Sequence, residues 1–153
     1  MPVNIGLDTS FIIGLLDEKD LWHASALELQ AAFRTGGFRP HVFDCVLSEV
    51  ISTLARRTHE KRREADLKAL LEQIKIEFPT KSITWLYPDL PRRFDEVVGL
   101  VQQSTGALNF NDALIALSCR IRGIPFLVSF DADFDRVNWL KRIARPADLH
   151  DSK

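Results

Sequence analysis

Four acids in this chain, Asp8, Glu49, Asp112 and Asp131, stand where a fold could gather them. Asp8 follows the apolar run Val3 to Leu7, and Asp131 follows Pro125 to Phe130. Glu49 and Asp112 fall in the first turns of stretches whose apolar residues recur at helical spacing. Clustered carboxylates repel one another and raise each other's pKa, so such a group is stable at neutral pH mainly around a cation. A donor set of oxygens without Cys or His favours a hard ion, Mg²⁺ or Mn²⁺ over zinc. Ions of this kind, often a pair about 3.5–4 Å apart, hold a phosphodiester oxygen, activate water and stabilise the leaving oxygen. The chemistry indicated is phosphodiester hydrolysis. There is no P-loop, no GxSxG elbow and no Cys/His pair at a recognisable spacing, so nucleotide-triphosphate hydrolysis and acyl transfer lose support.

Each acid alone has a plainer use. Asp112, behind the candidate caps Asn109 and Asn111, is a helix-dipole residue worth about 0.3–1 kcal/mol. Asp8 or Ser10 can cap a helix, and a lone Glu such as Glu49 near a helix start is commonly structural. Only the four together, at equivalent places in the fold, point beyond these plainer uses.

The elements that would position them alternate. Strand Val3 to Leu7 is followed by a helix with Phe11, Ile12, Leu15 and Leu16 on its apolar face, a charged break over Asp17 to Asp20, and a helix over Leu21 to Phe33 ended by Thr35-Gly36-Gly37. Phe38 to Phe43 is a second strand, leading to a helix marked by Val46, Leu47, Val50, Ile51 and Leu54. Ala65 to Ile76 continues as helix, Ser82 to Leu86 alternates as a strand, and Arg92 to Gln103 is helical. The Asp112 helix stops at Gly123, Pro125 to Phe130 is a buried strand, and Lys141 to Ile143 with Pro146 adds a short last one. Strands alternating with helices mean βαβ units. The expected fold is a single three-layer α/β/α domain over residues 1–153, with a central parallel sheet of four to five strands. Two acids then close strands and two open helices, all at the sheet edge where open α/β folds bind ligands.

The 153 residues suffice for one domain with a real core. Net charge is −1, so no molecule-wide basic footprint announces nucleic acid. The local exception is Arg56, Arg57, Lys61, Arg62 and Arg63, either a solvated helix face or a set of RNA phosphate contacts. Cys45 and Cys119 lie among apolar neighbours and read as buried free thiols of a reducing compartment. Neither a signal peptide nor an apolar run near about 18 residues is present. The cytoplasm is the default expectation, with no membrane partner. Trp22 and His23 read as packing residues, and Trp85, Tyr87, Phe110 and Trp139 as core rather than base-stacking aromatics.

The ordered motifs Asp8-Thr-Ser-Phe-Ile-Ile, Leu47-Ser-Glu49-Val-Ile, Asn111-Asp112-Ala-Leu-Ile-Ala and Ser129-Phe-Asp131-Ala-Asp133-Phe134 resemble a PIN domain over about Val3 to Ala147, and among PIN domains the VapC toxins of toxin–antitoxin pairs. That resemblance implies a metal-dependent ribonuclease acting as a homodimer and silenced by an antitoxin peptide in the acidic groove. Asp8, Glu49, Asp112 and Asp131 match the quartet that holds Mg²⁺ or Mn²⁺. Ser10 matches a hydroxyl residue supporting the first acid. Asp133 matches a further acid before the Phe, and either it or Asp131 is the nearer to the ion. The stretch Arg56 to Leu90 is longer than in the smallest toxins of this type. Two other readings use the same residues: a housekeeping nuclease of RNA maturation without an antitoxin, and a non-catalytic binding module in which the acids are only caps.

Overall fold

The computed structural model describes residues 1–151. Strand β1 (Val3–Leu7) runs into α1 (Thr9–Leu16), and α2 (His23–Thr35) leads back to β2 (Phe38–Phe43). Next come α3 (Asp44–Glu60), α4 (Glu64–Glu77), the short β3 (Ile83–Thr84), α5 (Leu90–Gln103) and α6 (Phe110–Ile121). The chain ends with β4 (Phe126–Val128), β5 (Lys141–Ile143) and α7 (Pro146–His150). All strand pairs are parallel, in the order β3-β2-β1-β4-β5. This is the expected three-layer α/β/α arrangement, with five strands. Among the described residues no helix is long and apolar enough to cross a membrane.

β1 is central because its neighbours lie on opposite sides: Ile5 is in register with Pro40 of β2 and with Phe126 of β4. The connections therefore diverge at its carboxyl end, which opens a crevice there. The Asp8 amide donates to Val128 O at 3.0 Å, so the ends of β1 and β4 are aligned at that crevice.

The helix behind it is α6. Seven consecutive residues, Ala113 to Cys119, are buried, as suits a helix enclosed on all sides. β1 admits it through Gly6, where a Cβ would come within 3.1 Å of Leu127 Cδ1 and 3.4 Å of Cys119 Sγ. Both cysteines are free and buried, as expected, and burial pushes the thiols up, Cys45 to about 12.

Departures from the expected elements have local causes. The strand expected over Ser82 to Leu86 is only Ile83–Thr84, because the buried Asp44 carboxylate takes the Leu86 and Tyr87 amides, each at 2.9 Å. Those amides are lost to the sheet ladder, and the chain turns out along the surface. Trp85 and Tyr87 are consequently 49% and 42% exposed, contrary to the core role expected for them, whereas Phe110 and Trp139 do pack on the core. The strand expected over Pro125 to Phe130 is Phe126–Val128, since the Phe130 amide donates to Ser10 Oγ at 3.0 Å instead. Beyond the short last strand, Pro146 opens a further helix, α7, rather than only punctuating the tail.

A candidate acidic site at the carboxyl edge of the sheet

Asp8 stands directly after β1, where the connections diverge, and is only 4% exposed. It precedes α1 in extended conformation but makes no side-chain cap. Its Oδ2 instead accepts Ser129 Oγ–H at 2.6 Å and Ser10 Oγ–H at 3.3 Å. Helix-capping therefore does not account for this acid. Burial pushes its carboxyl up to about 6 against the pull of the Ser129 hydroxyl, and the charges of Glu49 and Asp131 push the same way.

Asp112 comes from the opposite wall. It closes a capping box on α6: its amide donates to Asn109 Oδ1 at 2.9 Å, and its Oδ2 accepts the Asn109 amide at 3.2 Å. Burial raises its carboxyl to about 7, opposed by the Asn109 amide and reinforced by Asp8, Asp131 and Glu49. The capping function read from the sequence is thus real, and so is the proximity to the other three acids.

Glu49 enters from α3, its Oε2 accepting Thr9 Oγ–H at 3.1 Å. Asp131 follows β4. Its amide donates to the fully buried Ser129 Oγ at 3.0 Å, and its Oδ1 accepts the Asp133 amide at 2.9 Å. Asp133 itself turns to Arg136, Oδ1 to Nε at 3.7 Å. Of the two acids left open by the motif, Asp131 is the one whose charge acts on Asp8 and Asp112.

Two hydroxyls here had no role assigned from sequence. Ser129 links Asp8 to the Asp131 amide, and Thr9 orients Glu49. The only sequence signal was their place beside acids, Thr9 after Asp8 and Ser129 two residues before Asp131. Ser10 does touch Asp8, as expected, and also takes the Phe130 amide. Arg142 donates to Ser129 O at 3.3 Å while pairing with Asp135 through two nitrogens, a brace on the same loop.

The basic run is divided in its duties. Arg57 Nη1 binds Asp20 Oδ2 at 2.6 Å, and Arg63 binds both Asp17 at 3.2 Å and Asp66 at 2.8 Å. These two tie α3 and its following turn to the 17–20 loop. Arg56, Lys61 and Arg62 are exposed. Lys61 lies about 18 Å along the axis of α3 from Glu49, at about 1.5 Å per residue.

Among the described residues no three His, Cys, Asp or Glu side chains already converge as a ligand set. The four carboxylates are near enough to act on one another's charge, and their donor chemistry fits a hard divalent ion. Each tether uses one named oxygen, Asp8 Oδ2, Glu49 Oε2, Asp112 Oδ2 and Asp131 Oδ1, and a carboxylate needs only one oxygen to ligate. A cation would also remove the penalty that burial and neighbouring charge place on ionised Asp8 and Asp112.

Comparison with curated proteins returns no match. Among solved structures, the chain is similar to Mycobacterium tuberculosis VapC20, a sarcin–ricin loop cleaving toxin. The TM-score is 0.68 at 26% identity, covering 88% of this chain and 95% of that one. It also resembles VapBC2 from Rickettsia felis, solved bound to a DNA fragment from their promoter. There the TM-score is 0.61, over 92% and 98% of the two chains, and at 15% identity this is a likeness of fold. A family model described as the PIN domain matches residues 5–140, a span that carries all four acids and the crevice they line, and the chain belongs to that family.

Proposed function

We propose that the acidic crevice hydrolyses RNA phosphodiester bonds with Mg²⁺ or Mn²⁺, and that the protein is the toxin of a toxin–antitoxin pair. One observation carries the reading. Four carboxylates from four separate elements lie near enough to act on one another's charge where the sheet's connections diverge, around an Asp8 buried too deeply to serve as a solvated surface charge. Asp8 and Asp112 would be the principal metal ligands, with Glu49 and Asp131 completing the set and Asp133 in an outer position. A bound divalent ion supplies positive charge to the phosphodiester oxygens and acidifies the attacking water.

The chain's own residues do the positioning. Ser129 and Ser10 fix Asp8 Oδ2, Thr9 fixes Glu49, and the capping box fixes the Asp112 carboxylate at the mouth of α6. Such outer hydrogen bonds to ligands are typically worth about 10–100-fold in metal affinity or activity. The exposed Arg56, Lys61 and Arg62 would meet the RNA backbone away from the acids. The toxin assignment is motivated by the likeness to VapC20. It brings with it a cognate antitoxin that occupies the acidic groove, and a homodimeric assembly.

The test is cleavage of total cellular RNA, with a sarcin–ricin stem-loop as the first defined substrate, by the protein and by Asp112→Asn, each in Mg²⁺, Mn²⁺ or EDTA. Discrete fragment ends that require both the metal and Asp112 are expected. Identical behaviour of the two proteins in all three conditions would refute the reading.

A further inference from the structure

Trp22 lies beside the acidic crevice and belongs to none of its hydrogen bonds to the acids. Its indole stacks on Phe130, with ring centroids 4.7 Å apart and planes at 9°, yet 42% of the residue remains exposed. Phe130 immediately precedes Asp131, and its amide donates to Ser10 Oγ, whose hydroxyl reaches Asp8 Oδ2. The stacked pair is therefore built into the rim of the acidic cluster.

The ring is held from behind. The Trp22 amide donates to Asp20 Oδ1 at 2.9 Å, and Asp20 Oδ2 takes Arg57 Nη1 at 2.6 Å. Gly14 of α1 allows the close approach, since a Cβ there would lie 3.3 Å from both the Cβ and the carbonyl oxygen of Trp22. Asp20 thereby joins the loop carrying Trp22 to the start of the cationic run, with Arg56, Lys61 and Arg62 exposed beyond it.

A bound ion would offset the acids' charge at the phosphate it holds, and the rest of the entering RNA gains from a grip near the acids that does not depend on charge. An aromatic face offers one, because every base has a π-face and stacks on it with little regard to sequence. Bases within a continuous duplex are already stacked on their neighbours and cannot reach such a face. We propose that Trp22, backed by Phe130, is a stacking platform for an unpaired base of the RNA that enters the acidic crevice, so that a single-stranded or looped segment is selected over a duplex. The inference rests on the nuclease reading above.

The test uses the full chain in an Asp112→Asn background, where RNA stays intact. A fluorescein-labelled single-stranded RNA and a duplex of the same sequence are titrated by anisotropy against Trp22, Trp22→Phe and Trp22→Leu proteins. Trp22→Leu should weaken single-strand binding about tenfold, within the range measured for loss of one base–aromatic stack. Trp22→Phe should stay within about threefold, and duplex binding should not change. With Asp112 intact, Trp22→Leu should raise KM for the single strand by a similar factor and change kcat little. Unchanged single-strand affinity in Trp22→Leu, or an equal loss on duplex and single strand, would overturn the platform. So would a loss of self-association by light scattering without a loss of RNA affinity, which would assign the ring to a protein contact. If the protein with both residues intact cleaves no RNA, the nuclease reading itself fails. If it cleaves and Trp22→Leu cleaves with the same KM, the platform alone falls.

Discussion

Neutralising Asp8 should make the metal-free protein more stable while destroying its activity. The native carboxyl sits at about 6 against an ordinary 3.8, for burial first and the charges of Glu49 and Asp131 after it. Between those two values the native state binds more protons than the unfolded chain, so stability falls as pH rises through that window. Above about pH 6 the loss is complete, and at about 1.36 kcal/mol per pH unit it comes to about 3 kcal/mol. Asp8→Asn removes that loss. The pull of the Ser129 hydroxyl on the ionised carboxylate is already contained in that shift, and Asn still offers the hydroxyl an oxygen, as the protonated acid does. The expected gain is about 3 kcal/mol at pH 8.

The assay is urea denaturation of both proteins in EDTA at pH 8 and at pH 4. At pH 8 Asp8→Asn should be the more stable, with a higher urea midpoint, and in a parallel thermal melt its melting temperature should be higher by about 6–12 °C. At pH 4, where native Asp8 is already protonated, the advantage should shrink to a small fraction. Added Mn²⁺ should raise the stability of the native protein by mass action and leave the variant nearly unmoved. Coincident unfolding curves at pH 8 in EDTA would refute the claim that Asp8 is held ionised at a cost which a cation relieves.

The remaining expectations concern the neighbours. Asp131→Asn should abolish cleavage, by at least about a hundredfold, while Asp133→Asn, whose carboxylate faces Arg136, should lower it by less than about tenfold under the same Mn²⁺ assay. Ser129→Ala should lower kcat/KM by about 10–100-fold and move the acid limb of its pH profile upward, since the Asp8 carboxylate loses the 2.6 Å donor that opposes its upward shift. Arg57→Ala should cost up to about 1 kcal/mol of stability, read by denaturant melting, because its guanidinium ties α3 to Asp20 and is itself partly solvated. Arg56→Ala should leave stability alone and reduce the salt slope of RNA binding by about 1.

What the sequence made legible follows from the reach of the signals. β1 and β2 agree with their expected spans to the residue, because each is a short apolar-bounded run between clear breaks. α6 was legible from Asn109 and Gly123, its two ends. The truncations of β3 and β4 were not, because they depend on side chains remote in sequence: Asp44 taking amides at Leu86 and Tyr87, and Ser10 taking the amide of Phe130. The exposure of Trp85 and Tyr87 follows from the first of these captures. Thr9 and Ser129 escaped for a related reason. A hydroxyl carries no charge or periodicity to mark it, and its role appears only when a carboxylate from another element comes within 3.1 or 2.6 Å. The basic run was legible as a cluster, but the division of labour within it depends on Asp17, Asp20 and Asp66, which only the fold brings to Arg57 and Arg63.

The capping and ligand readings of Asp112 are not rivals, and this bears on why the acid stands at that position. An N3 carboxylate in a capping box is held in one orientation by an amide of its own helix, at no cost in contacts from elsewhere. The box therefore delivers Oδ2 to Asn109 and leaves Asp112 rigid at the mouth of α6, where the helix dipole favours negative charge. That dipole works against the burial and the three neighbouring charges which push the carboxyl toward 7. Moving the acid one turn into the buried run Ala113 to Cys119 would forfeit both the amide and the dipole, and the carboxyl would stay protonated at neutral pH. For the ligand role proposed above, which needs the ionised form beside Asp8, Glu49 and Asp131, the first turn of a helix is the position that gives the most support.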